Sequence, residues 1–229
     1  MHPTEIPKQY VDRIIARRGR LHLFEEIDPA RTALLVLDMQ NVFLVPGYAP
    51  TEIPGLEGIV PNINRLARLC RDAGAMVVWT QHTASDAWRS WSRNLAAPAT
   101  RKRIIELTAE GTFGFEIHES LEVDASDLRL TKTRHSAFAN SSGLHEKLQA
   151  AGRDTLIVTG TLSNVCCEAT TRDAMQRNYN SIFVSDANGT RSDEEHMATL
   201  INLALYFADV MTTDEVARLL EARDPGRST

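Results

Sequence analysis

Short apolar runs, each closed by polar or turn-forming residues, recur along the chain. Residues 33–37 (ALLVL) end at Asp38, and residues 76–79 (MVVW) follow the turn signal Ala73-Gly74. Residues 156–158 (LIV) end at Thr159-Gly160, and residues 182–184 (IFV) end at Ser185-Asp186. Residues 128–131 are a weaker run in the same rhythm, and residues 210–212 read as a last, short strand. Between the runs lie stretches of helical character, 60–72 among them. Runs that are apolar on both faces and separated by helices predict a buried parallel sheet. Right-handed crossovers then place helices on both sides of it. The expected fold is α/β, a three-layer α/β/α sandwich with a six-stranded, mostly parallel sheet. Residues 85–120 follow neither period and are expected to run over the sheet edge. Residues 1–28 read as an amphipathic leader, with Tyr10, Ile14 and Ile15 set against Arg13, Arg17 and Arg18. Such an arm would pack on its own domain or on a partner subunit, and 29–229 would form the domain proper. No repeat or low-complexity tract divides that region.

Composition narrows the classes. A chain of 229 residues fits one domain, or at most two small ones, and is long enough to bury a sizeable core. With 25 basic against 30 acidic residues, the formal net charge of −5 disfavours nucleic acid as a partner. No apolar run approaches the roughly 18–20 residues that span a bilayer, and the first twenty residues lack the apolar stretch of a secretory signal. A cytoplasmic protein with no membrane partner is expected. The three cysteines cannot make a disulfide framework, and none forms a C-x-x-C pair.

In an open α/β sheet, ligands bind beyond the carboxyl ends of the strands. Three residues there carry chemistry: Asp38 after ALLVL, Lys132 after LRLT, and Cys166 shortly after LIVTG. Cys166 follows a strand, a tight turn and two good N-cap types, Ser163 and Asn164. This places it in a first helical turn, where free backbone amides and the helix dipole favour negative charge. A thiol there is expected to have its pKa lowered from about 8.5 towards roughly 3.5–7.5. The same amides suit an oxyanion on an attacked carbonyl. A buried structural cysteine is an equally common outcome for such a position. Cys167 lies about 100° further round the helix and is assigned to packing, whereas Cys70, far from any strand end, reads as core or surface filler. A carboxylate after a buried strand needs a partner. A lysine close to both Asp38 and Cys166 would hold a thiolate's charge, leaving Asp38 to accept the thiol proton and pass it to a leaving amine.

Together, LLVLDMQNVF (34–43), KTRHSAF (132–138), TGTLSNVCCEATTRDA (159–174) and VSDANGTRSDEEH (184–196) resemble the isochorismatase-like cysteine hydrolases. The resemblance spans roughly residues 30–216 and implies the sandwich fold inferred above. It implies Asp38 as acid/base, Lys132 as the ion-pairing lysine and Cys166 as nucleophile. It also implies an oxyanion hole from the Leu162 and Cys166 amides, and a cis peptide at Thr161–Leu162. The reaction implied is hydrolysis of a small amide or ureido C–N bond through a thioester.

Isochorismatases proper lack the nucleophilic cysteine, so Cys166 argues against that branch. Nicotinamidases carry a metal on a D-x-H-x-x-x-H pattern, whereas YAPTEIPGLEGIV after Gly47 holds no histidine. No metal and no other cofactor are expected. The N-V-C-C-E and K-x-R-x-S-x-F motifs look most like ureidoacrylate, biuret and N-carbamoyl amide hydrolases. In ureidoacrylate hydrolases a tyrosine stands where this chain has His135. Nicotinamide or maleamate remain as other amide substrates, and a non-catalytic binding protein as another class. A redox role for Cys166-Cys167 ranks low, since adjacent cysteines rarely meet disulfide geometry. Candidates to contact a small planar amide are Phe43, Gln81, His82, Trp88, Trp91, Arg134 and His135. A homodimer or homotetramer is the expected assembly, from the leader and the habit of the family resembled.

Overall fold

The computed structural model describes residues 2–85, 96–139 and 142–222. One sheet contains β1 (Thr32–Leu37), β2 (Met76–His82), β3 (Leu128–Lys132), β4 (Thr155–Thr161), β5 (Asn180–Gly189) and β6 (Asp209–Met211). Their spatial order is β3-β2-β1-β4-β5-β6, and every neighbouring pair is parallel. The sheet is wholly rather than mostly parallel. Each connection carries a crossover helix, which is what a parallel pairing requires.

Those crossovers are α2 (Asn41–Leu44) with α3 (Val60–Asp72), α4 (Pro98–Leu107), α5 (Leu144–Ala150), α6 (Glu168–Gln176) and α7 (Asp193–Tyr206). Two more helices flank the domain, α1 (Lys8–Arg18) and α8 (Thr213–Glu221). Strand β1 is buried at all six positions and β4 at all seven. Alternation along the strands splits their side chains between two cores. Leu34, Val36, Trp79 and Ile157 meet Ile63 and Leu66 of α3 and Val216 and Leu220 of α8. Leu35, Leu37, Val78 and Val158 meet Leu148 of α5, Ala174 of α6 and Leu203 of α7.

The chain leaves β1 towards β2 and β3, then returns to the other side of β1 with β4. The carboxyl ends of β1 and β4 therefore flank the point where a doubly wound sheet opens a crevice. Gly160 marks how closely these strands meet. Its φ is +114°, and a Cβ there would stand 2.2 Å from the Leu37 carbonyl oxygen. Only glycine permits this approach. A register shift follows on the β5 side, between Val158 and Gly160. Asn188 steadies it by donating to the Val158 and Val184 carbonyls.

The leader packs on its own domain. Ile14 is fully buried against Ala204 and Leu205 of α7. Ile15 remains 42% exposed, because neighbours on a helix point about 100° apart and cannot share a face. The expected apolar face is thus narrower, and Arg17 instead lays its guanidinium 4.8 Å from the Tyr206 ring centroid.

Beyond α1 the leader is pinned by Asp209. This buried carboxylate accepts from the Leu23 and Phe24 amides and lies 3.1 Å from His22 Nδ1. The hydrogen bond to Asp209 raises the His22 pKa above its ordinary 6.5, against the opposing pull of burial. A raised folded-state pKa gives stability that is complete below 6.5 and lost as pH rises through the folded value. His22→Gln should therefore melt below the native protein at pH 6, and the gap in Tm should shrink steadily towards pH 8.5. Thermal melts across that range check this; a constant gap would contradict it.

Candidate active site

The site is built from three strand ends. Asp38 follows β1 with φ +55°, a left-handed conformation that Asp tolerates better than most side chains. Its own amide donates to the Thr80 carbonyl at 3.1 Å, anchoring the turn to β2. Gln40, two residues on, donates to the His82 carbonyl and accepts from the His82 amide. The D-x-Q pair thus locks the ends of β1 and β2 together.

Lys132 ends β3, two strand spacings or about 10 Å from β1. Its register partner on the intervening strand β2 is His82. The side chain is wholly buried, and the ammonium lies 2.7 Å from Asp38 Oδ2, with Asp38 also buried. It donates further to the Arg134 carbonyl at 3.0 Å and to Cys166 Sγ at 3.3 Å. The ammonium is thus surrounded by the Asp38 carboxylate, the Arg134 carbonyl and the Cys166 sulfur. Thr80 Oγ1 donates to Asp38 Oδ1 at 2.7 Å.

Cys166 arrives from β4. The Thr161–Leu162 peptide bond is cis, and a single π-helical turn, Ser163–Cys167, then leads into α6. Such turns often occur where a helix carries a functional group. The Val165 and Cys167 amides both donate to the Leu162 carbonyl at 3.1 Å. Neither Ser163 nor Asn164 caps the turn with its side chain. Ser163 instead meets His196 at 2.8 Å, and Asn164 accepts from Thr190 at 2.7 Å. Cys167 is completely buried in the core on the α6 side, and Cys70 in the core on the α3 side.

The electrostatics differ from the sequence expectation in one respect. Burial pushes the Cys166 thiol up to about 12, with Lys132 opposing that shift and Asp38 adding to it. The physical reason is charge balance. The ammonium is already paired with a carboxylate, so the two together offer the sulfur little net positive charge. Burial alone would lower the Lys132 pKa, but Asp38 and Cys166 together raise it and keep the ammonium charged. The resting site therefore holds a thiol beside a charged ammonium.

A cavity of about 410 Å³ opens over Cys166. Of the residues expected there, Phe43, His82, His135, Leu162 and Cys166 line it. His135 Nδ1 is 3.9 Å from Cys166 Sγ. Burial, then the Lys132 charge, lowers the His135 pKa to about 4, and His82 is held well below its ordinary value first by burial and then by Lys132. Both imidazoles are neutral at pH 7.

Gln81 does not line the cavity. Strand alternation turns it to the opposite face from Thr80 and His82, where it donates to the Phe115 carbonyl. Arg134 does not line it either; its guanidinium turns back onto Thr133. Trp88 and Trp91 lie outside the described residues. The cavity also takes in Pro50, Thr51, Ile104, Asn164, Thr190, Arg191 and Glu195. Thr190 and Arg191 follow β5 directly, so the strand-end rule that found Asp38 would have found them. Thr51 and Ile104 carry no such signal. Among the described residues, no group of three His, Cys, Asp or Glu side chains converges as a metal site.

Residues 32–215 match the Isochorismatase domain family. The chain belongs to this family. An isochorismatase-family relative, the ureidoacrylate amidohydrolase RutB of Caulobacter vibrioides, is 31% identical over 216 residues, covering 87% of this chain and 96% of its own. Among solved structures, a cysteine hydrolase from Pseudomonas syringae pv. phaseolicola superposes with a TM-score of 0.78 at 32% identity, over 88% of this chain and 97% of that one. The N-carbamoylsarcosine amidase of Thermoplasma acidophilum superposes with a TM-score of 0.64 at 26% identity, over 80% and 97% respectively. Among the described residues, no helix of this isochorismatase-family chain is long and apolar enough to cross a membrane.

Proposed function

We propose that this protein is a cysteine amidohydrolase. It cleaves the C–N bond of a small amide or ureido (carbamoyl) substrate through a thioester on Cys166, releasing ammonia or an amine. One observation carries this reading: a buried ammonium, that of Lys132, stands 2.7 Å from the Asp38 carboxylate and 3.3 Å from Cys166 Sγ. The names of two relatives, a ureidoacrylate amidohydrolase and an N-carbamoylsarcosine amidase, support the substrate class.

In the first step, Cys166 Sγ attacks the carbonyl carbon as its proton passes to Asp38. A resting thiol suits this concerted transfer, since no free thiolate need persist. The carbonyl electrons move onto oxygen, which the Leu162 and Cys166 amides would hold. Asp38 then gives its proton to the departing nitrogen, the C–N bond breaks, and a thioester remains. In the second step, water adds to the thioester while Asp38 takes one of its protons. The carboxylic acid (from an amide) or carbamic acid (from a ureido group) leaves, and the proton returns to the sulfur. Lys132 stays charged throughout, balancing whichever of Asp38, the sulfur or the oxyanion is negative.

The walls from Phe43, Ile104, Leu162 and Val165 favour a compact substrate with an apolar surface, and Thr51, Asn164 and Thr190 offer hydrogen bonds around it. An ammonia-release screen over N-carbamoyl amino acids, biuret, ureidoacrylate, nicotinamide and maleamate tests the proposal. Turnover of at least one ureido or carbamoyl compound is expected. Release from nicotinamide alone would remove the ureido assignment, and no release from any amide would remove the hydrolase reading.

A further inference from the structure

His196 is a buried imidazole that the proposed chemistry does not use. It lies in the first turn of α7 and is fully buried. Its Nε2 is 3.0 Å from the Ser185 carbonyl oxygen. A carbonyl can only accept, so Nε2 carries the proton, and in the neutral ring Nδ1 is then an acceptor. Ser163 Oγ, 2.8 Å from Nδ1, must therefore donate to it. Burial, followed by the nearby His2, lowers the His196 pKa to about 4, so this arrangement persists at neutral pH. The His2 ring stacks on His196 with centroids 4.8 Å apart.

The position of Ser163 gives the contact its meaning. Ser163 follows the cis peptide directly and stands between Leu162 and Cys166, whose amides face the oxyanion in the mechanism above. It is fully buried and opens the π turn. The next residue, Asn164, is held by Thr190. Two consecutive residues between the two amides are thus fixed by side chains from the first turn of α7 and from the connection before it. We propose that His196 is a positioning residue: acting through Ser163, it sets the orientation of the Leu162 and Cys166 amides, and so the strength of the oxyanion hole, without altering the nucleophile. The proposal rests on the reading of Cys166 as nucleophile.

Two reagents separate these roles. Iodoacetamide alkylates Cys166 and reports on the sulfur alone. Butyraldehyde carrying ¹³C at its carbonyl adds to the thiol. A C–S bond forms, the C=O double bond opens, and the thiol proton passes by way of Asp38 to the oxygen, which lies where an oxyanion would. Carbon NMR reads the affinity of this hemithioacetal. His196→Gln keeps a donor near the Nε2 position but loses the Nδ1 acceptor, whereas His196→Asn keeps an acceptor near Nδ1. Ser163→Ala removes only the hydroxyl and serves if a histidine variant fails to fold.

The expected result for His196→Gln and Ser163→Ala is an alkylation rate within about twofold of native and aldehyde affinity lower by roughly 10–100-fold. This is a fraction of the loss seen when an oxyanion donor is removed outright. His196→Asn should stay within about threefold of native in both. Unchanged aldehyde affinity in folded Ser163→Ala or His196→Gln would overturn the proposal. So would equal losses in His196→Gln and His196→Asn that track Tm. Native protein that takes neither reagent at Cys166 would overturn the nucleophile reading, and this proposal with it.

Discussion

Cys166→Ala is expected to lower kcat/KM by roughly 10⁴-fold or more while leaving the fold intact. Removing the nucleophile from a cooperating set costs nearly as much as removing the whole set. What remains is whatever binding and the oxyanion amides supply. The substitution deletes one buried sulfur atom, and Lys132 keeps two of its three acceptors, Asp38 and the Arg134 carbonyl. The fold should therefore tolerate it, with Tm within a few degrees of native. Cys166→Ser should fare little better in activity, because a hydroxyl is far less acidic than a thiol and gives up its proton less readily during attack. Kinetics beside a thermal melt decide the matter. A folded Cys166→Ala protein with substantial turnover would exclude the thioester route.

Lys132→Met should damage both stability and activity. The substitution leaves the Asp38 carboxylate buried without its counter-charge. Breaking a buried pair from one side costs about 3–5 kcal/mol, a large part of the net stability of a domain. Thr80 still donates to Asp38, but one neutral hydroxyl does not replace an ammonium 2.7 Å away. Adding Asp38→Asn removes the stranded charge, so the double variant should recover most of the lost stability. It should recover no activity, since the proton carrier is gone as well. Denaturant melts of both single variants and the double variant provide the cycle. A double variant no more stable than Lys132→Met would show that the pair is not held by its charges.

The sheet was legible because its inner strands are apolar on both faces, and the runs at 33–37, 156–158 and 182–184 announce them. The strand ends were harder. β2 continues through Thr80, Gln81 and His82, β4 through Thr159 to Thr161, and β5 through Ser185 to Gly189. Most of these residues are polar or glycine, so hydrophobic periodicity stops short of them, yet Thr80 reaches Asp38 and His82 lines the cavity. Asp38, Lys132 and Cys166 could be singled out because each directly follows a run or a recognisable motif. Gln81 was drawn in by proximity, where the two-residue alternation of a strand sends it to the other face. Ser163 and Asn164 have the composition of helix caps, but tertiary partners in α7 and the connection before it take their side chains. The thiol pKa was the least legible feature. A helix terminus alone argues for a lowered value, whereas full burial beside an already neutralised lysine gives a raised one. Thr51, Ile104 and Glu195 reach the cavity through packing of distant segments, which no local pattern encodes.

The thioester route requires a covalent intermediate on one of three cysteines. Acid quenching during steady-state turnover of a hydrolysed amide, followed by peptide mass spectrometry, tests it directly. The expected result is an adduct equal to the substrate minus its leaving amine or ammonia, found on Cys166 and absent from Cys70 and Cys167. Hydroxylamine should remove it, as it cleaves thioesters. Turnover at full rate with no adduct on Cys166, together with unimpaired activity in Cys166→Ala, would exclude Cys166 as the nucleophile.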